Sequence, residues 1–98
     1  MSEIEQEQSL FVSIAGPLPG ERWFAHPIVV KVQNDAGEFV VTELKYYMHG
    51  AGSTIPEAIE EFKRIFSGYL DILSEEEGNL SSYLQEQLEY LRSAIRKE

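Results

Sequence analysis

Hydrophobic and polar residues alternate in the first half of the chain, whereas hydrophobic residues recur every three or four positions in the second half. Leu10, Val12 and Ile14 alternate with Phe11 and Ser13, which predicts a first strand. The glycine- and proline-rich segment 16–20 follows, and both residue types interrupt regular structure. We therefore expect ordered structure to begin near residue 9, after an acidic, flexible tail at residues 1–8.

The clearest β pattern is a hairpin over residues 27–44. The run 22–33 is rich in aromatic and β-branched residues, and Pro27 marks either an edge position or the true start of the strand. Residues 34–37, Asn-Asp-Ala-Gly, supply turn chemistry, and residues 38–44 resume the strand pattern. A further short strand is predicted over residues 45–50, so strands occupy residues 9–50.

The apolar period changes to that of a helix near residue 54. Apolar side chains recur at spacings of three and four as far as Leu73, which predicts an amphipathic helix over residues 54–74. Thr54 and Glu57 form a T-x-x-E capping-box pattern, and proline suits the first turn of a helix. Glycine before this start allows unusual backbone angles or a close approach. The residues that define the helix start are Gly50, Gly52, Thr54, Pro56, Glu57 and Ala58.

A narrower apolar stripe from Leu80 to Ile95 predicts a second, C-terminal helix over residues 80–97. Strands followed by helices predict a single α+β domain over residues 1–98. Its three- to four-stranded antiparallel sheet is covered by the long amphipathic helix, and the C-terminal helix is added to it. The stripe packs either on its own sheet or on another copy of the chain.

The composition narrows the possible partners. The 98 residues include 17 acidic and 8 basic ones, a net charge of −9, and the acids are spread along the chain. Such a chain is expected to avoid nucleic acid and to suit a basic protein partner, although acidity also serves solubility alone. No apolar run approaches membrane-spanning length, the N-terminus is acidic, and there is no cysteine. We therefore expect a cytoplasmic protein without membrane contact.

The residue pattern predicts no catalytic or metal site. His26 and His49 are the only histidines, and without cysteine or an H-x-x-x-H spacing they suggest neither zinc nor a nucleophile–base pair. The acids of the hairpin, Asp35, Glu38 and Glu43, are candidates for magnesium, but turn formation accounts for the first two. The glycines before the helix lack the lysine of a phosphate-binding loop. We expect no enzyme activity and no cofactor.

Six residues are candidates for binding a protein partner, because aromatic side chains are enriched at the centres of interfaces. A position in the core and a position at an interface are equally favoured for the aromatic residues among them. The candidates are Trp23, Phe24, Tyr46, Tyr47, Met48 and His49.

Residues 27–73 resemble the HicB antitoxin domain. The resemblance lies in the hairpin that begins at Ile28 and, most specifically, in the segment Gly52-Ser-Thr-Ile-Pro-Glu-Ala58 that opens the helix. It implies a reduced ribonuclease H-like fold, homo-oligomers and neutralisation of a small basic toxin that cuts RNA. Two features of the family are missing, namely its usual proline-rich turn after the hairpin and a DNA-binding segment, since residues 79–98 carry one acidic helix pattern. The alternative is a solitary homo-oligomeric protein with a regulatory or structural role.

Overall fold

The computed structural model describes residues 9–97 and has the α+β architecture that the sequence predicts. The predicted tail at residues 1–8 lies outside the described residues. The elements, in chain order, are strands β1 (Ser9–Ile14), β2 (Pro17–Leu18), β3 (Arg22–Phe24), β4 (Ile28–Asp35), β5 (Glu38–Glu43) and β6 (His49–Gly52), helices α1 (Ile55–Glu75) and α2 (Ser82–Ala94), and strand β7 (Ile95–Lys97). In the part of the chain that the structure describes, neither helix is long and apolar enough to cross a membrane.

The larger sheet is antiparallel and has the strand order β1-β4-β5-β6. Its centre is the predicted hairpin, in which β4 and β5 pair from Val30↔Glu43 to Asp35↔Glu38. The turn contains Ala36 and Gly37, both with positive φ, and the Gly37 amide donates to Asn34 Oδ1 at 3.3 Å. Strand β1 pairs with the other side of β4 over six residues. The alternation in β4 places Ile28, Val30 and Val32 in the core.

Helix α1 covers this sheet and begins with the predicted capping box. The Glu57 amide donates to Thr54 Oγ1 at 3.2 Å, and the Glu57 carboxylate accepts from the Ser53 amide at 3.1 Å. Pro56 lies in the first turn, where no amide donor is needed. The apolar face of the helix is buried, and Phe62 and Phe66 are the largest side chains without solvent exposure. Burying each of them stabilises the fold by about 1.5–3 kcal/mol.

The two glycines of β6 are required by the close approach of α1. A β carbon on Gly50 would lie 2.3 Å from the backbone nitrogen of Phe62, and one on Gly52 would lie 2.7 Å from that of Ala58. Neither glycine has positive φ. Of the two roles predicted for them, close approach is therefore the one in the structure.

A second sheet of order β2-β3-β7 corrects two predictions. The segment 16–20 contains a two-residue strand, and the last helix spans Ser82–Ala94 instead of 80–97. Strand β4 begins directly after Pro27, which confirms one of the two roles predicted for this proline, and Arg22–Phe24 belong to the second sheet. Ile95 turns to extended geometry because its side chain is buried and its strand pairs with Arg22–Phe24. Tertiary pairing therefore overrides the helical pattern of the last residues.

The predicted strand at residues 45–50 is also wrong at its start. Residues 44–46 form a turn, and the strand begins at His49. The Glu43 carboxylate accepts from the amides of Lys45 at 2.7 Å and Tyr46 at 2.9 Å, which holds the turn. Tyr47 has a φ of 61°, and the Glu43 amide donates to the Met48 carbonyl at 2.8 Å. A buried carboxylate thus replaces sheet hydrogen bonds in this segment.

Candidate functional site

A groove of about 560 Å³ lies between the segment 46–49, the outer side of α1 and the start of α2. We call it the aromatic groove. Four tyrosines line it, together with aliphatic, amide and basic side chains. Its lining residues are Tyr46, Tyr47, Met48, His49, Arg64, Ile65, Gly68, Tyr69, Ile72, Tyr83 and Gln87.

The turn that Glu43 holds supplies one wall of the aromatic groove. Glu43 is only 1% exposed, and its charge is satisfied by the two backbone amides of the turn. The positive φ of Tyr47 lets neighbouring side chains take different directions. Tyr46 contacts Tyr83 and Tyr90 of α2, with ring centroids 5.4 and 5.3 Å apart, whereas Tyr47 is 67% exposed. The turn thus presents one anchored and one exposed aromatic ring.

A series of aromatic contacts joins this wall to the core. Tyr90 contacts Phe66 edge-on at 6.3 Å, and Phe66 contacts Phe62 at 5.3 Å. Each such pair contributes about 0.5–1.5 kcal/mol beyond its buried area. Burial raises the pKa of the Tyr90 hydroxyl above its ordinary range, and the charge of Glu43 adds to the effect. Tyr46 is therefore held in a fixed position before any partner binds.

The exposed apolar side chains of the groove form one patch. Tyr47, Ile72 and Tyr83 are each more than half exposed, and Tyr69 is 37% exposed. Gly68 leaves the α1 wall open, because a β carbon there would meet no atom within 4 Å. Clustered apolar side chains at the surface of a soluble protein mark an interaction site more often than scattered ones do.

The tyrosine side of the groove lies in an acidic environment. The pKa of Tyr46 is raised by burial and then by nearby groups that include Glu86, Glu43 and Glu89. The Lys45 ammonium lies 6.0 Å from the centre of the Tyr46 ring. On the opposite side of the groove, the Arg64 guanidinium forms an ion pair with the Glu61 carboxylate, and the two charges offset each other. Aromatic rings beside carboxylates favour cationic groups of a ligand, because both attract positive charge.

The structure separates the six candidate partner-binding residues into two groups. Tyr46, Tyr47, Met48 and His49 all line the aromatic groove, where Met48 is buried and His49 is exposed with its Nδ1 3.1 Å from the Tyr47 carbonyl. Trp23 and Phe24 lie in β3 of the second sheet, outside the groove.

Burial assigns two of the six candidates to the core. Phe24 is 6% exposed and packs on Phe66 with ring centroids 5.5 Å apart, and Met48 is 4% exposed. Their side chains are thus not available on the surface in this conformation. Trp23 is half-buried, and its indole N–H has no hydrogen-bond partner among the described residues.

Sequence reasoning missed the contribution of the helices to the groove. Ile65, Tyr69 and Ile72 are spaced by four and three residues, so they form a stripe beside the buried face of α1. The signal that could have revealed it was the unusual width of the apolar face. Tyr83 carries no comparable signal, because it lies off the stripe of α2.

Sequence reasoning also missed a buried arginine that joins the second sheet to α1. Arg22 is 9% exposed and donates to the Ser67 carbonyl at 3.0 Å and to both Asp71 carboxylate oxygens at 3.2 and 2.5 Å. The Ser67 hydroxyl in turn donates to the Pro19 carbonyl at 3.0 Å. The hydrogen bonds from Arg22 hold the pKa of the Asp71 carboxyl below its ordinary value of 3.8. The cluster explains the placement of β3, and its role is structural.

The carboxylates and histidines considered for metal binding or catalysis do not converge among the described residues. Within residues 9–97, no group of three or more His, Asp and Glu side chains is placed to hold a metal ion. Asp35 and Glu38 are exposed at the hairpin turn, and Glu43 is buried under backbone amides. The histidines lie apart, in the loop after β3 and in β6.

The function of the aromatic groove has to be inferred from the chemistry of its own residues. These are exposed aromatic and aliphatic side chains, an anchored tyrosine and neighbouring carboxylates. No protein-family model matches the chain, and searches of curated proteins and of solved structures give no significant match.

Proposed function

We propose that this protein is a non-enzymatic interaction module that binds a small basic protein through the aromatic groove. The observation that carries the proposal is the meeting of Tyr47, Tyr69, Ile72 and Tyr83 in one groove whose tyrosine side lies near Glu86 and Glu89. Apolar contact supplies affinity, and the carboxylates favour lysine and arginine side chains at the rim.

The net charge of −9 supports the same class of partner. A basic protein is attracted over a distance of about one Debye length, ~8 Å at physiological salt, which accelerates its encounter with this chain. The resemblance of residues 27–73 to the HicB antitoxin domain suggests a more specific role. In that role the partner is a small basic toxin that cuts RNA, and this chain neutralises it by covering its active surface.

The test uses the small basic protein encoded beside this chain in its source genome, purified alone and titrated calorimetrically into the 98-residue protein. Two matched variants separate apolar contact from charge. Ile72→Lys and Ile72→Glu both remove the same exposed side chain, but only the first repels a basic partner. We expect Ile72→Lys to weaken binding by about 30-fold or more, and Ile72→Glu to weaken it less.

Leu44→Lys is the control outside the groove, because Leu44 is 42% exposed and does not line it. We expect its affinity to fall much less than that of Ile72→Lys. Equal affinities for all three variants would refute the groove as the binding surface. If the neighbouring gene encodes no small basic protein, or that protein shows no heat of binding, the antitoxin role is refuted.

The alternative role, a solitary homo-oligomer, requires a surface other than the stripe from Leu80 to Ile95. Leu88 and Leu91 of that stripe have no solvent exposure and Ile95 is 6% exposed, because they pack into the core of their own chain. The sequence left open whether the stripe packs on its own chain or on another copy, and these residues pack on their own chain.

A further inference from the structure

Strand β1 is an edge strand of the larger sheet. Among residues 9–97 it pairs with β4 alone, in continuous register from Ser9↔Gln33 to Ile14↔Ile28. Natural proteins usually protect such edges with charged residues, proline or a bulge. The sequence of β1, Ser-Leu-Phe-Val-Ser-Ile, contains neither a charged residue nor proline, and its register with β4 contains no bulge. The edge is therefore open to another strand.

The apolar side chains of β1 are exposed on both faces of the sheet. Leu10, on the core side, is 56% exposed, and Phe11, on the outer side, is 59% exposed. Helix α1 packs mainly against β6 and β5, at the opposite edge, where the glycines admit it. The core therefore leaves Leu10 uncovered, although Ile14 at the other end of β1 is buried.

The side-chain pattern of β1 complements itself. The outer face has Ser9, Phe11 and Ser13, and the core-side face has Leu10, Val12 and Ile14. When the strand is reversed about Phe11, Ser9 takes the place of Ser13 and Leu10 that of Val12, so the chemical character of each position is kept. A contact with two-fold symmetry requires this property, because the same patch has to match itself in the opposite direction.

The charge of β1 itself does not oppose a second copy at this edge. Two chains of charge −9 repel one another, but β1 carries no charge, and the residue beside Phe11 on β4 is Lys31. Residues 9–14 therefore bring no like charges together where the two strands would meet.

We propose that a second copy of this chain pairs antiparallel along β1, so that two four-stranded sheets become one continuous sheet. The two-fold axis passes through Phe11, which places Phe11 opposite its own symmetry mate, Ser9 opposite Ser13, and Leu10 opposite Val12. Alternate pairs of opposite residues in antiparallel strands exchange two backbone hydrogen bonds, so this contact adds about four to six of them. The aromatic groove lies beside β6, at the other edge of the sheet, and stays open in each copy.

The dimensions of the contact indicate a reversible dimer. The contact is a single strand of about 20 Å, so we expect it to bury less than the ~800 Å² per partner of a typical stable complex. The mass in solution is therefore expected to rise with concentration, from 11.2 kDa to twice that value.

Sedimentation equilibrium over a wide concentration range tests the proposal with two lysine variants. Phe11→Lys places two like charges on the two-fold axis, and we expect it to raise the dimer dissociation constant at least about tenfold. Leu44→Lys makes the same change at an exposed leucine outside β1, and its dissociation constant should match that of the original protein. A monomer at every concentration up to about 1 mM, or equal dimerisation of both variants, would overturn the proposal.

A cysteine variant tests the register and does not depend on the folding of Phe11→Lys. The chain has no cysteine, so Phe11→Cys introduces a single thiol. Residues directly opposite in antiparallel strands are about 4.5–5.5 Å apart at their α carbons, which a disulfide can span. We expect mild oxidation to cross-link Phe11→Cys rapidly and Val29→Cys, exposed on the neighbouring strand, slowly. Equal rates would overturn the proposed pairing.

Discussion

Gly50→Ala is the substitution whose effect the structure predicts most directly. The new β carbon would lie 2.3 Å from the Phe62 nitrogen and 2.7 Å from the Glu61 carbonyl carbon, and both are backbone atoms of α1. Non-bonded carbon atoms are in best contact at about 3.5–4.0 Å, so the helix or the strand has to move by roughly 1 Å. Gly50 has no positive φ, so alanine meets no separate backbone strain. The cost is therefore one of space.

The expected loss of stability is near the top of the usual range for overpacking. Such changes cost about 1–3 kcal/mol, and this one meets helix backbone instead of a flexible side chain. Moving α1 also weakens the contacts of Phe62 and Phe66, since a gap of 0.5–1 Å forfeits about a quarter to a half of each contact energy. We expect about 3 kcal/mol, which lowers the melting temperature of a domain of this size by roughly 12–24 °C.

Gly68→Ala is the matched control, because it is the same substitution within α1, the helix that packs against Gly50. Its β carbon would meet no atom within 4 Å, and alanine stabilises a helix interior by about 0.5–1 kcal/mol relative to glycine. Thermal and urea unfolding followed by circular dichroism should therefore give shifts of opposite sign for the two variants. A Gly50→Ala melting temperature within about 2 °C of the original protein would refute the close-approach argument.

Two further substitutions test the core and the Arg22–Asp71 ion pair. Phe62→Asp should abolish the cooperative melting transition, because it places a carboxylate at a position that is 0% exposed. Ile72→Asp is the control at a 58% exposed position of the same helix, and it should keep the transition. Asp71 stabilises the fold above its ordinary pKa of 3.8, and this contribution is lost as the pH falls through its lowered folded-state pKa. Asp71→Asn should therefore lose less stability than the original protein between pH 7 and pH 3. The difference should be about 1 kcal/mol or less, because Asp71 is 58% exposed. If the free energy of unfolding fell equally with pH in both proteins, the role of the Arg22–Asp71 pair would be contradicted.

The pattern of residues predicted those parts of the fold whose interactions are local. The hairpin turn, the capping box at Thr54 and the apolar period of α1 all depend on side chains a few positions apart, so they are readable along the chain. The antiparallel sheet followed from them, because short connections join neighbouring strands.

The candidate site was only partly predictable. The cluster Tyr46, Tyr47, Met48 and His49 is continuous in sequence and was recognised from its aromatic character. Its other wall comes from α1 and α2, and nothing in the sequence indicates which helical residues lie opposite the turn. Phe24 could not be assigned to core or surface without knowing that Phe66 packs on it.

The sequence by itself therefore determined the α+β class, the start of α1 and the alternation of the hairpin, since each results from neighbouring residues along the chain. Only the tertiary structure decided that Ile95–Lys97 is a strand, that Arg22 is buried, and that Gly50 is needed for space and not for its backbone angles. Those outcomes depend on groups far apart in sequence: Ile95–Lys97 pair with Arg22–Phe24, and α1 lies against β6. Contacts of this kind form only when the whole chain has folded, and local patterns do not encode them.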